Sequence, residues 1–267
     1  MSIPAENLPE PLRNKRQLDS GSSFRFDCQP DNQCFTRCCS DVNIVLTPAD
    51  VLDLSRKSGL STREFLDRHT LLPVTRELHL PVVMLKMGPA PEKRCPFVGP
   101  QGCSVYDARP WACRMYPVAA ALPPARAGVP TRPSYFLCED DFCEGRKHPR
   151  SWTVESWQRD QGVLAREELE KGFHQLVAHP WFIGGRQLDP KRLEMFFMAC
   201  YDLDTFREFI FSSTFLSRFE LDHALVEELR TDDRALLRFA FLWLRFALFG
   251  EPTLRPEQDP AEQPQTD

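Results

Sequence analysis

The sequence lacks what a membrane or a nucleic acid would demand of it. Its longest apolar stretch, Leu236 to Phe249, is too short for a bilayer span and carries Arg238 and Arg245. The first residues, Met1 to Arg16, are polar and proline-rich and hold no apolar secretory segment, so the chain is expected in the cytoplasm. A basic excess is missing as well. The formal net charge is -5, and both phosphate backbones and anionic lipid call for a positive surface. No nucleic-acid partner and no membrane are therefore expected, while an unknown protein partner stays open. Glycine is scarce, 12 residues against 24 prolines, and none of it builds a phosphate loop. Gly184-Gly185 has the wrong spacing for a dinucleotide turn, and there is no Walker lysine. Beyond residue 143 cysteine almost vanishes, leaving only Cys200.

What is present is a concentration of cysteine in the first half. Nine of the ten cysteines lie between residues 28 and 143. Cys28, Cys34, Cys38 and Cys39 come first, followed by Cys95, Cys103, Cys113, Cys138 and Cys143. Cysteine used only as a small hydrophobe would be spread through both halves. In a reducing compartment such clusters read as metal ligands or redox groups before they read as disulfides. Zinc takes four thiolate or imidazole ligands, and iron–sulfur clusters take about four thiolates. Nine sulfurs exceed one such site. Two sites, one multinuclear site with bridging thiolates, or a smaller site with spectators would each account for them. If residues 34–38 form a helical turn, Cys34 and Cys38 share a face and Cys39 points elsewhere. The Gly99-Pro100-Gln101-Gly102 turn folds the chain sharply before Cys103. Lys93, Arg94, Arg109 and Arg114 flank candidate ligands and could offset thiolate charge. Arg109 and Arg114 are expected to hydrogen-bond loop carbonyls, and Tyr106 and Tyr116 to pack the loops.

The local signals divide the chain. Residues 1–23 read as a flexible leader, 24–150 as the cysteine-bearing domain, 151–250 as a helical domain and 251–267 as a disordered tail. Val42 to Leu46 reads as a strand. Thr47-Pro48-Ala49-Asp50 opens a helix ending at Gly59, and Ser61-Thr62-Arg63-Glu64 is a capping box for a second helix to about His69. Val74 to Met87 reads as two short strands or a hairpin, and 88–147 as largely irregular. Helices are expected at about 153–178, 190–200, 204–212, 221–230 and 232–249. The fold class is α+β: an irregular, metal-stapled cysteine-cluster domain with short strands and helices, followed by an all-α domain. His174 and His179 read as surface or capping residues. His148 is a minor ligand candidate, and Cys200 is a buried, inert thiol.

Several segments together carry a family resemblance. They are Cys34-Phe-Thr-Arg-Cys38-Cys39, Leu46-Thr-Pro-Ala-Asp50, Cys95-Pro-Phe, and Gly102-Cys-Ser-Val-Tyr-Asp-Ala-Arg-Pro-Trp-Ala-Cys-Arg-Met-Tyr-Pro117. Over residues 24–147 the chain resembles the YkgJ-type cysteine-cluster family, described as zinc- or iron-chelating and summarised by a CxxCxxCC signature. The front spacing here is x3 rather than x2, and Cys143-Glu-Gly stands where the family has Cys-Pro-Gly. The resemblance implies ligands at Cys28, Cys34, Cys38, Cys39, Cys95, Cys103 and Cys113, with Cys138 and Cys143 added. It implies an iron–sulfur cluster or Zn2+ as cofactor, with iron placed first. The same domain is similar to part of flagellin lysine-N-methylases, which raises a protein-modifying enzyme as one alternative. A zinc-stapled interaction module is another. Catalytic residues are not identifiable from the sequence.

Overall fold

The computed structural model describes residues 8, 10–19, 21–73, 79–121 and 133–257. The front of the chain holds β1 (Arg16–Leu18), β2 (Ser23–Arg25), β3 (Val45–Leu46), α1 (Pro48–Ser58), α2 (Thr62–His69) and β4 (Thr70–Leu71). Then come β5 (Val83–Leu85), β6 (Val98–Gly99), β7 (Gly102–Cys103), α3 (Trp111–Met115), β8 (Val118–Ala121), β9 (Ser134–Leu137) and β10 (Ser151–Thr153). The remainder is helical: α4 (Val154–Asp160), α5 (Glu167–Val177), α6 (Pro190–Cys200), α7 (Leu203–Ser212), α8 (His223–Thr231) and α9 (Asp233–Phe249). The fold is α+β, with small antiparallel sheets and a C-terminal helical region. Among the described residues no helix is long and apolar enough to cross a membrane.

Local chemistry sets the first helices. The Thr47 hydroxyl accepts from the Asp50 amide at 3.2 Å, and the Asp50 carboxylate accepts from the Thr47 amide at 2.9 Å. This reciprocal cap, with Pro48 at the first helical position and a left-handed Gly59 at the end, bounds α1 as expected. Ser61 and Glu64 do the same for α2.

Four expectations change. Val42 to Leu46 contributes only the two-residue β3. Val83–Leu85 pairs with Val45–Leu46 on one side and Thr70–Leu71 on the other, so β5 is the middle of a three-stranded sheet rather than half of a hairpin within 74–87. Residues 74–78 of that reading lie outside the described residues. The segment read as a leader supplies β1, which pairs with β9, Gln17 opposite Phe136. The helix expected over 153–178 is broken. α4 stops at Asp160, Gly162 takes a left-handed φ of 68°, and a 3-10 turn over Leu164–Arg166 leads into α5. Of the tail, 258–267 lie outside the described residues, while Pro256 bridges back to Phe219.

Two large apolar cores result, and a small third cluster joins Leu8, Ala121 and Phe136. The larger joins α1, α2 and β5 to the helical region. Leu46, Leu52, Leu54 and Phe65 pack in one cluster with Leu176, Phe196, Phe206, Leu236 and Leu244, all essentially inaccessible. Cys200 is fully buried within it. The smaller gathers Phe24, Phe26, Met115, Val118, Cys143, Trp152 and Trp157. Between α1 and α5 sits a buried charge network. Asp50, fully buried, accepts from Arg166 at 2.8 Å and from the Trp111 amide at 2.8 Å. Arg166 also faces Asp53 at 3.5 Å and Glu170 at 3.4 Å. Burial without such partners would cost several kcal/mol per ion, so the groups are held as a set.

Candidate metal centre

The two cores leave a cavity of about 770 Å3 between them. Its walls carry Cys28, Cys34, Cys38, Cys39, Cys95, Cys103, Cys113 and Cys143, eight of the nine cysteines expected there. Buried tryptophans stiffen one wall. The Trp152 indole N–H donates to the Phe26 carbonyl at 2.7 Å, and that of Trp157 to the Met115 carbonyl at 3.0 Å. All ten cysteines are free thiols.

The ninth expected ligand, Cys138, is not part of that lining. It follows β9, its amide donates to the Pro117 carbonyl at 2.7 Å, and its charged neighbours are Asp140 and Lys15. Cys39 corrects a second expectation. Residues 37–39 form a 3-10 turn entered through a left-handed Thr36 with φ 64°, so the α-helical placement of Cys34 and Cys38 does not apply. Cys39 lines the same cavity as Cys38.

Each cysteine is placed by its neighbours in the chain. The Asp27 amide donates to the Gly145 carbonyl at 3.0 Å, the Gln33 amide to the Glu144 carboxylate at 2.9 Å, and the Glu144 amide to Cys34 Sγ at 3.3 Å. A Cβ on Gly145 would stand 2.9 Å from the Phe26 ring, so this close approach needs glycine, and the Cys-x-Gly element gains a physical reason. On the other side the Cys95 amide donates to the Cys39 carbonyl at 2.8 Å, and Val98 pairs with Cys103 in the β6–β7 hairpin. Gly102 sits there at φ 105° with the Phe35 ring 3.2 Å from where a Cβ would be. Cys113 lies on α3, whose first amide is the one bound by Asp50.

Electrostatics report how crowded the thiols are. Burial, then the charges of Cys38, Cys34 and Cys143, push Cys28 up to about 11. Burial, then Cys95, Asp50 and Cys103, push Cys113 up to about 12. The adjacent Cys39 thiol, then burial, raise Cys38 strongly. Burial also raises Cys95 and Tyr116, the latter with a further contribution from the neighbouring Cys143 and Asp140. Gathering thiols this way disfavours thiolates unless a cation sits among them, which inverts the local balance. Among the described residues no three His, Cys, Asp or Glu side chains form a ready-made coordination shell. The donor chemistry nonetheless fits zinc or iron: many soft sulfurs border one cavity.

The flanking cations behave differently from one another. Arg114 donates to the carbonyls of Arg109 at 3.0 Å, Gln161 at 2.9 Å and Asp107, as expected of a loop-stabilising residue. Arg109 instead reaches the Gln161 side chain and stacks over Tyr106 at 3.8 Å. Its charge favours the Cys113 thiolate. Lys93 pairs with Asp41 at 2.8 Å and Arg94 with the Thr36 hydroxyl at 3.2 Å. Tyr116, expected to pack, donates to Asp140 at 3.0 Å while lining the cavity. His148 contacts Asn32 at 3.0 Å and is not a lining residue. His179 caps a turn through the Trp181 amide, and its ring stacks on Phe249. Sequence reasoning missed the aromatic wall of Phe26, Trp152 and Trp157, for which a cysteine count gives no signal.

Residues 27–144 match the family CxxCxxCC, described as "Putative zinc- or iron-chelating domain". No curated protein and no solved structure matches the chain.

Proposed function

Since residues 27–144 match the model of that zinc- or iron-chelating family, we propose that this chain binds an iron–sulfur cluster or zinc through its cavity thiols, iron–sulfur ranking first. The observation that carries the reading is the cavity itself, which eight cysteines border. Sulfur in such excess suits iron–sulfur centres, with their requirement for about four thiolates each, and also zinc. A bound cluster would supply electron-transfer chemistry, and zinc would supply structure. The chain's own part is to hold the sulfurs and soften their charge. The Glu144 amide donates to Cys34 Sγ. Free thiols throughout are consistent with a reducing compartment such as the cytoplasm.

The test is iron, zinc and acid-labile sulfide content after anaerobic purification. Iron with sulfide is expected. Zinc alone, in a colourless protein, would replace the cluster reading but keep chelation. Absence of any bound metal would remove both. Cys103→Ser and Cys113→Ser should lose at least half of the metal, whereas Cys138→Ser and Cys200→Ser should keep it. Equal metal content in all four would overturn the assignment.

A further inference from the structure

We propose that the cavity also admits a small organic anion, its carboxylate held by Arg109 and its apolar body lying against the ring-lined wall. This goes beyond metal chelation and holds whichever metal the thiols bind.

The first observation is a buried charge without a counter-ion. Arg109 is only 8% exposed and lines the cavity. Uncharged groups orient its guanidinium: the Tyr106 ring at 3.8 Å and the side-chain oxygen of Gln161. Gln161 is fixed in turn. Its side-chain amide donates to Asp160 at 2.7 Å, and its backbone amide to the Trp157 carbonyl at 2.9 Å. Among the described residues Arg109 forms no ion pair, and its buried Nε–H meets no acceptor. Three acids that border the cavity are engaged elsewhere. Asp41 pairs with Lys93 at 2.8 Å, Asp160 accepts from Arg150 at 3.4 Å, and Asp140 accepts from Tyr116 at 3.0 Å. Asp27, beside Cys28, is the remaining lining acid. A guanidinium withdrawn from water without an anion is costly, and its planar fork matches a carboxylate.

The second observation is the room and the lining. A cation with thiolates at about 2.3 Å occupies a sphere of roughly 50 Å3. The cavity has about 770 Å3, so several such centres would leave most of it free. Small-molecule sites measure on the order of 300–1,000 Å3. Phe35, Phe97, Phe142, Trp152 and Trp157 supply apolar wall. Trp157 stands one helical turn, about 6 Å, from Gln161, so apolar surface and charge fall within the length of one small molecule. Two further guanidinium groups border the same space, Arg37 over Phe142 at 5.0 Å and Arg150 over Trp152 at 4.1 Å. They favour an anion over a cation.

The probe is hydrocinnamate, compared with its neutral counterpart hydrocinnamyl alcohol. Each is titrated by calorimetry into the full-length protein, purified anaerobically with the metal it carries. The acid is expected to bind at least tenfold more tightly than the alcohol, the scale of a charge-assisted hydrogen bond. Arg109→Gln should abolish that preference and leave the alcohol's affinity unchanged. Arg109→Lys, which keeps the charge but not the fork, should retain part of it. Acid and alcohol binding equally to wild type, or neither binding at millimolar concentration, would leave Arg109 to the thiolates and overturn the site. So would a preference that survives in folded Arg109→Gln. If that variant does not fold, the wild-type comparison still decides. Metal content is measured on the same samples. Its absence would remove the chelation reading and leave this one standing.

Discussion

The cysteine-bearing loops and the helical region are held together by different means. In α9, nine of seventeen residues are buried, Leu236, Leu244 and Leu248 among them, and the helix packs on α5, α6, α7 and α8. Its order comes from apolar burial, the dominant favourable term in folding. Around the cavity the strands are two to four residues long, and the segments between them carry thiols at half-exposed positions. Such strands are too short to hold themselves, so the loops depend on a handful of backbone ties and, in the reading proposed above, on metal. The contrast separates a region ordered by apolar burial from one whose loops, on the metal-chelating proposal, would need ligation.

The boundary between these regimes does not follow the chain. α1, α2 and β5 belong to the front of the sequence yet share the larger core with α5 to α9. Removing metal is therefore expected to act on part of the front only. The loss should be the largest of any single perturbation, since apparent binding free energies at structural zinc sites are on the order of 10 kcal/mol. Amide exchange after chelation should rise sharply over 27–40, 94–105 and 138–146, while α1, α2 and α9 stay protected. If α9 opens together with the loops, the two regimes are one cooperative unit and the comparison fails.

The next effect in size lies at the joint. Arg166 is 5% exposed and faces Asp50, Asp53 and Glu170. Arg166→Met would leave Asp50 buried beside further acids, at a cost of about 3–5 kcal/mol. Because Asp50 also holds the Trp111 amide at the start of α3, this variant should weaken metal retention at Cys113 as well as lower the unfolding midpoint. Leu236→Ala offers the control. It should cost about 2–5 kcal/mol through a cavity in the helical core, yet leave metal content per folded molecule unchanged. Equal metal loss in both variants would mean that the network transmits nothing specific.

These differences also explain what the sequence could and could not reveal. The caps of α1 and α2 were legible because a few adjacent residues contain the whole interaction, Thr47 with Asp50 and Ser61 with Glu64. The helices α6 to α9 were legible from apolar period. The cysteine concentration pointed to the region of the cavity for the same reason of local density. What escaped was non-local. β1 finds its partner, β9, more than a hundred residues on. The break at Gly162 lies where Gln161 is recruited by Arg109 and Arg114 from α3 and the loop before it. Cys138 counts like the other cysteines in a composition, and only the turn of the chain after β9 leaves it out of the lining.

The smallest expected effect concerns Glu170 of α5, which accepts from the Thr47 hydroxyl at the head of α1 at 2.9 Å. Burial, then the Asp50 charge, push its carboxyl up to about 7, against the opposing pull of Arg166. A folded-state value raised above the unfolded one near 4.5 means that the native state binds the proton more tightly. This group's contribution is therefore full below about pH 4.5 and is lost as pH rises through about 7. Metal ligation by thiols runs the other way, since protons compete with the metal, so total stability is a poor readout. The difference between wild type and Glu170→Gln cancels the groups that do not interact with Glu170, the metal ligands among them, and leaves Glu170 with its neighbour Asp50. Glu170→Gln should gain on wild type by roughly 1–3 kcal/mol between pH 5 and pH 8, measured as urea midpoints of the helical signal at each pH. A constant difference across that range would show that Glu170 stays ionised in the fold. The network would then be fully charged, and the polar contact between α1 and α5 would stop depending on pH.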